Sequence, residues 1–481
     1  MREQSVLGQV LRCPFTSERV DSLLLASLQM SISVMMRSHL FSQAVLVACV
    51  LALAAFSTGC DTAEPSPPLN DSRFQRYAAI GGSITAGMQA EGLTYALQQD
   101  AYPVLLAEQI GTPFALPALQ DPGCPPPITN ALTGERADNM SCALRQTPIP
   151  ATINNFAVPG ATLDRFIVDR VFFPYPLPYE VDPDAAVNEL TTLILGGRTP
   201  IDAAREDVYP TFSTQWIGND DIAIATAVGD TSTLPSAMKF QDALFAPYRI
   251  SPGNSIRVEL SVIDPTLLPH LIPGSSFFTL EENGAFPPTL SVNDNCASSS
   301  QGGIGDQMRV PFKYGIRGLF RLAREGRAVE LNCTDNRPLR EVVGGSLPDD
   351  LDPLAEFSIL TPEEVQHLKE RVEEYNEFLN FISGGDKIVL RIDVNPTFRA
   401  LYNEGTETPD PFDDAVPKFP ILPDAETPNP DTFGSWYSLD GVHPSSRFHQ
   451  VIANLIIESM NEEEDLPSIP PIPGASAVPG S

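Results

Sequence analysis

From Thr361 onward the apolar residues fall into a helical rhythm. Val365, Leu368, Val372, Tyr375, Leu379 and Ile382 step by three and four, which places them on one face of a helix. Thr361, Pro362 and Glu364 mark its start: a threonine hydroxyl accepts from a first-turn N–H, proline fits the first turn, and the glutamate closes a capping box. Gly384 stands where a C-terminal cap belongs, and Lys387 to Val394 then reads as a strand. The same signals predict a helix over Pro103–Ile110 closed by Gly111, and a last helix from about Ser446 to Met460. Short apolar runs at Arg76–Ile80, Leu190–Leu195, Phe212–Ile217 and Ile256–Ile263 read as further strands, the first ending in Gly81-Gly82. Strands alternating with helices predict an α/β fold, with a mostly parallel sheet covered on both faces and its site at the carboxyl ends of the strands.

The N-terminal pattern is of another kind. Met36, Arg37 and His39 precede an apolar run from Phe41 to Phe56, followed by Ser57, Thr58, Gly59 and Cys60. That run is shorter than the ~20 residues of a membrane-spanning helix and has the layout of a signal peptide. It resembles a bacterial lipoprotein signal, in which cleavage leaves Cys60 lipidated as the new N-terminus, although Ser57 stands where such signals usually carry Leu. The resemblance implies a lipid anchor in the cell envelope, at the outer membrane or cell surface; an uncleaved anchor or an ordinary secretory signal are the alternatives. Residues 1–59 are therefore read as leader, 60–73 as linker, 74–462 as the folded body with insertions, and 463–481 as a disordered acidic and Pro/Gly/Ser tail.

Composition narrows the function classes. With 481 residues of which 42% are hydrophobic, the chain can bury a full-sized core. Thirty Lys and Arg against 61 Asp and Glu give a formal charge of −31, which repels phosphate backbones and argues against nucleic-acid partners. Setting aside Cys13, Cys49 and Cys60 leaves Cys124, Cys142, Cys296 and Cys333, an even number in an oxidising compartment. Proximity along the chain favours Cys124–Cys142 and Cys296–Cys333 among the three possible pairings. No C-x-x-C or comparable metal-ligand spacing occurs, so no metal is expected.

Candidate chemistry gathers at two short segments. Gly81-Gly82-Ser83-Ile84-Thr85-Ala86-Gly87 puts a serine where the first strand turns, although Thr85 excludes the G-x-S-x-G elbow. A serine nucleophile needs a base, and past the leader the histidines are His270, His367, His443 and His449. Of these, His443 has Asp440 three residues before it, with Gly441 between them to let the carboxylate fold back onto ring Nδ1. Each segment, taken alone, is equally an ordinary polar turn.

Taken together, these residues resemble the SGNH (GDSL-type) hydrolase family. Gly81-Gly82-Ser83-Ile84 is similar to its first block, with Gly82 in place of the family's Asp, and Asp440-Gly441-Val442-His443-Pro444 to its last. Asn155 to Thr162 resembles the second block and Trp216-Ile217-Gly218-Asn219-Asp220-Asp221 the third, all four in order, with 225–355 and 400–434 as insertions. The resemblance implies a three-layer α/β/α fold of flavodoxin-like type with five parallel core strands, and cofactor-free hydrolysis of a small-molecule, lipid or glycan ester through an acyl-enzyme. Ser83 would be nucleophile, His443 base and Asp440 its orienting carboxylate, with the N–H groups of Ser83 and Gly160 holding the oxyanion. Asn219 is the expected side-chain donor there; the literal spacing of the third block would instead bring Asp220, which must be protonated to help. Phe277, Phe278 and Phe286 would form either a lid or acyl groove, or a hydrophobic mini-core. The rival class is a surface lipoprotein of the same fold that binds glycan or lipid without turnover.

Overall fold

Tyr77–Gly81 (β1), Phe212–Trp216 (β2), Ile256–Leu260 (β3) and Ile388–Ile392 (β8) pair side by side in that order, every pair parallel. β1, β2 and β3 are buried at every position, as strands covered on both faces must be. The computed structural model describes residues 71–138, 142–167, 189–246, 252–381, 388–402, 416–423 and 430–474. The chain divides into two units, Met1–Glu64 and Pro65–Ser481, and all described residues belong to the second. The predicted leader and Cys60 lie outside them. Among the described residues, no helix is long and apolar enough to cross a membrane.

Strand alternation assigns the two faces. Tyr77, Ala79, Phe212, Trp216 and Val258 point into one apolar cluster with Tyr102 and Leu106 of helix Tyr102–Ile110 (α2) and Ile452 and Ile456 of helix Ser446–Asn461 (α7). Ala78 and Ile80 point the other way. There they meet Ile222 of helix Asn219–Val228 (α4), Phe240 of helix Ala237–Phe245 (α5) and Val365, Leu368 and Val372 of helix Pro362–Phe381 (α6). Phe240 stacks on Tyr375 at 4.5 Å, locking α5 onto α6. The result is a parallel α/β sheet with helices on both faces.

Most elements follow from local rules. The Thr361 hydroxyl accepts the Glu364 N–H at 3.3 Å while the Glu364 carboxylate accepts the Thr361 N–H at 2.8 Å, so α6 starts at the predicted box. Its expected end at Ile382 and Gly384, and the strand start at Lys387, lie outside the described residues. Cys124–Cys142 and Cys296–Cys333 are both disulfide-bonded.

Other expectations change. Leu190 to Leu195 is not a strand: Glu189–Leu195 is a helix (α3) that buries Thr191, Ile194 and Leu195 at helical spacing. A run this short satisfies both periods, and packing decides. Four strands, not five, make up the central sheet among the described residues; beside β1, Asn155 forms a single parallel bridge to Ala79. The predicted linker already folds at Asp71, which caps a short 3₁₀ turn, Ser72–Phe74, that buries Phe74. The predicted tail packs back as far as Ile472: Leu466 and Ile469 are buried, and Asn461 and Asn454 bond the backbone of Ile469 and Ile472.

The long insertion has its own small pairings. Leu271–Pro273 (β4) runs antiparallel to Arg309–Pro311 (β6), and Leu290–Val292 (β5) parallel to Val329–Leu331 (β7). Phe277 and Phe278 are buried there, with Phe277 5.9 Å from Phe286 and 5.2 Å from Phe419. These rings pack on one another as a mini-core.

Candidate active site

At the carboxyl end of β1 the chain turns directly into a single helical turn, Ser83–Ala86 (α1), and Ser83 begins it. The side chain of Asn155 braces this turn, its Nδ2 donating to the Thr85 carbonyl at 2.9 Å. Gly82 makes room for a neighbour: a Cβ there would stand 2.3 Å from Oδ2 of Asp220, so the carboxylate would have to move. An aspartate at 82, as in the resembled first block, would collide with and repel that carboxylate. The two departures from the resembled motifs, Gly82 and Asp220, are therefore one spatial feature.

Asp440 and His443 come together as their spacing predicts. Gly441 adopts φ +66°, a left-handed conformation that folds the segment back on itself. His443 Nδ1 lies 2.7 Å from Asp440 Oδ2, and because a carboxylate only accepts, Nδ1 carries the proton and Nε2 is left to the cavity that His443 lines. The carboxylate also accepts the N–H groups of Val442 at 2.8 Å, His443 at 2.9 Å and Glu91 at 2.7 Å. Burial works against its charge, but His443 and these donors prevail and hold Asp440 well below the usual carboxylate range. Burial likewise opposes a charge on His443, yet the Asp440 carboxylate raises the imidazole above its ordinary value.

The third block resolves differently from the expectation. Gly218, at φ +89°, launches α4 at once, so residues 219, 220 and 221 leave the axis about 100° apart. Asn219 turns toward the end of β3, where its Oδ1 accepts the Ile263 N–H at 3.0 Å and its Nδ2 is buried without a partner. Asp220 points at Ser83: its carboxylate accepts the Ser83 N–H at 3.1 Å on each oxygen and the Ser83 hydroxyl at 2.7 Å, and the Gly160 N–H lies close enough to favour its charge. Asp221 caps the Leu163 N–H at 3.1 Å. Helix phase thus puts Asp220, not Asn219, on the expected oxyanion donors. Burial raises the Asp220 carboxyl above its usual range, against the opposing bonds from Ser83 and the charge of His443, and pushes Asp221 up to about 8.

Ser83, Gly160, Asp220, Asp440 and His443 all line one cavity of about 190 Å³. The rest of its wall is largely apolar, including Met88, Ala223, Ile224, Phe312 and Val442. A charged cluster closes one side: Glu91 lies 2.9 Å from Lys313 Nζ and 3.3 Å from both Arg317 and Arg136. Burial would raise the Glu91 carboxyl, but Arg317 and Lys313 outweigh it and lower it. Glu91 matters to the site through its backbone, which grips Asp440 from a turn where Ala90 and Glu91 take φ of +52° and +51°. No residue-type signal marks such a turn in the sequence. His270 lines the cavity too; burial lowers its imidazole to about 4, and its backbone N–H donates to the Gly441 carbonyl at 3.1 Å. His367 and His449 do not reach the cavity; His449 is fully buried and accepts the Tyr102 N–H.

Chemically, a hydroxyl and an imidazole oriented by a carboxylate share one mostly apolar hollow, with two amide N–H groups converging beside the hydroxyl. That is equipment for attack on a carbonyl carbon. No family model matches the chain, and no curated protein matches it.

Proposed function

We propose that the protein is a serine-dependent hydrolase of carboxylic esters of the SGNH type, tethered to the cell envelope through a lipidated Cys60. The carrying observation is that Asp440 fixes Nδ1–H of His443 at 2.7 Å on the cavity that also holds Ser83. In this reading Ser83 Oγ attacks the ester carbonyl and Nε2 of His443 takes its proton. The imidazolium, held by Asp440, then protonates the leaving alcohol; water repeats the sequence to release the acid. The N–H groups of Ser83, which now bonds the Asp220 carboxylate, and of Gly160, which acts on the same carboxylate, are the donors that would receive the oxyanion. The segment at Asn155, bridged to Ala79 beside β1, supports a fifth position in the sheet as the resemblance implies. The cavity is smaller than the ~300–1,000 Å³ of drug-sized sites, which favours a short acyl group.

A series of p-nitrophenyl esters of increasing chain length tests the reading. Turnover should be highest on short chains, and Ser83→Ala and His443→Ala should each lower kcat by about 10⁴ or more while the fold persists, because such groups act as a unit. Near-native turnover by Ser83→Ala would refute it. One observation favours the rival reading, a binding protein without turnover: the Ser83 hydroxyl donates to Asp220. Under that reading no ester is turned over by any variant.

A further inference from the structure

A carboxyl group occupies the place where the reaction would develop negative charge. Asp220 takes the Ser83 N–H and the single hydroxyl proton of Ser83, and lies within the influence of the Gly160 N–H. While ionised, it fills the donors with its own charge, repels a second anion, and keeps the Ser83 proton from His443. Its position in the first turn of α4 and the nearby imidazole both favour that ionised form at rest. A neutral carboxylic acid behaves in the opposite way: it donates a hydrogen bond, attracts an oxyanion and leaves the hydroxyl free. We propose, building on the reading of Ser83 and His443 above, that Asp220 works as a neutral acid and is the side-chain donor to the oxyanion, so that the competent site carries its one mobile proton on Asp220 and none on His443.

The balance is simple. At rest the proton sits on His443 as imidazolium opposite the Asp220 carboxylate. Its transfer gives neutral imidazole and carboxylic acid with no change in net charge. The substrate carbonyl oxygen then takes over the Ser83 and Gly160 amides, Ser83 gives its proton to Nε2 as Oγ bonds to carbon, and the Asp220 O–H completes the set of donors. Gly82 provides the room in which this carboxyl sits.

The titratable and charged groups around Asp220 are His443 from the segment before α7, Asp221 beside it on α4, and, across the same cavity, Glu91, Lys313, Arg317, His270 and Asp440. Asp440 and Glu91 are held ionised and His270 neutral. That leaves the His443–Asp220 pair and the neighbouring Asp221, each raised from its ordinary value, to change charge as pH rises. Activity should need one proton on the His443–Asp220 pair. It should fall in acid, when both carry one, and fall in alkali, when neither does; the two midpoints belong to the pair.

The test is the pH profile of kcat/KM on p-nitrophenyl acetate. Wild type should give a bell whose alkaline side drops tenfold per pH unit, the slope of a single proton loss. Asparagine donates without a proton to lose, so Asp220→Asn should abolish the alkaline fall and leave a single acid-side midpoint, that of His443 beside a neutral side chain, which lies above the wild-type acid midpoint. Two units above the wild-type alkaline midpoint, the variant should exceed wild type by about 10²-fold. Asp221→Asn should keep the fall, and Asn219→Ala should leave the bell in place. Asp220→Ala removes the donor altogether and should lose about 10²–10³ in kcat, also without an alkaline fall; it serves where Asp220→Asn does not fold. An alkaline fall intact in the Asp220 variants, or a 10²–10³ loss confined to Asn219→Ala, would overturn the proposal while leaving the serine mechanism standing. Ser83→Ala turning over normally would overturn the serine mechanism instead.

Discussion

At the scale of single residues, three neighbours at the start of α4 meet different fates because the helix rotates each by about 100°. The sequence could show that an amide and two carboxyls follow Gly218; it could not show the phase of the turn, and so the expected donor Asn219 points to Ile263 and Asp220 to Ser83. The pairing of Asp440 with His443 was legible, because three residues containing a glycine leave few ways to fold back. Asp221 yields a prediction of its own. Burial raises its folded value to about 8, above the ordinary ~3.9 of an unfolded aspartate. The folded state therefore holds the proton more tightly, and the stability this gives is full below ~3.9 and lost as pH rises to about 8. Asp221→Asn mimics the neutral acid and still accepts the Leu163 N–H. Its melting temperature should exceed that of wild type clearly at pH 9 and little at pH 4; equal differences at the two pH values would contradict the burial argument.

Among elements, those with end signals were readable and those defined by packing alone were not. α6 announced itself through Thr361, Pro362 and Glu364, and both reciprocal bonds are formed. Thr361→Ala removes the hydroxyl that caps the first turn and should cost about 0.5–2 kcal/mol in urea unfolding. An unchanged midpoint would mean that Pro362 and the packing of Val365 alone fix the start. α3, by contrast, carries no cap that the sequence reading recognised, and six apolar or threonine residues from Leu190 fit either period. The insertion strands β4 to β7 are three residues each, too short for any pattern to declare. The turn at Ala90 and Glu91, whose left-handed backbone puts an N–H on Asp440, belongs with them.

For the whole molecule, alternation of strands and helices gave the parallel α/β architecture, and the cysteine count with proximity gave both disulfides. The extent of the folded body was less legible: a Pro-rich tail reads as disordered by composition, yet Asn454 and Asn461 fasten it as far as Ile472 through backbone bonds that composition cannot foretell. The proposed anchor is tested in a bacterial host by metabolic labelling with a palmitate analogue. The wild type should take up label and partition with membranes, since more than one chain is needed for stable attachment; Cys60→Ala should do neither. Label persisting in Cys60→Ala would remove the lipoprotein reading without touching the site.

The central claim is that Ser83 is a nucleophile activated by His443, and covalent trapping addresses it most directly. Purified protein is exposed to a fluorophosphonate near neutral pH, and the adduct is followed by intact mass and located by peptide mapping. Ser83 should be modified stoichiometrically and with time, and the modification should be abolished in Ser83→Ala and slowed by orders of magnitude in His443→Ala. A wild-type protein that stays unmodified, or one labelled equally well when His443 is removed, would contradict it.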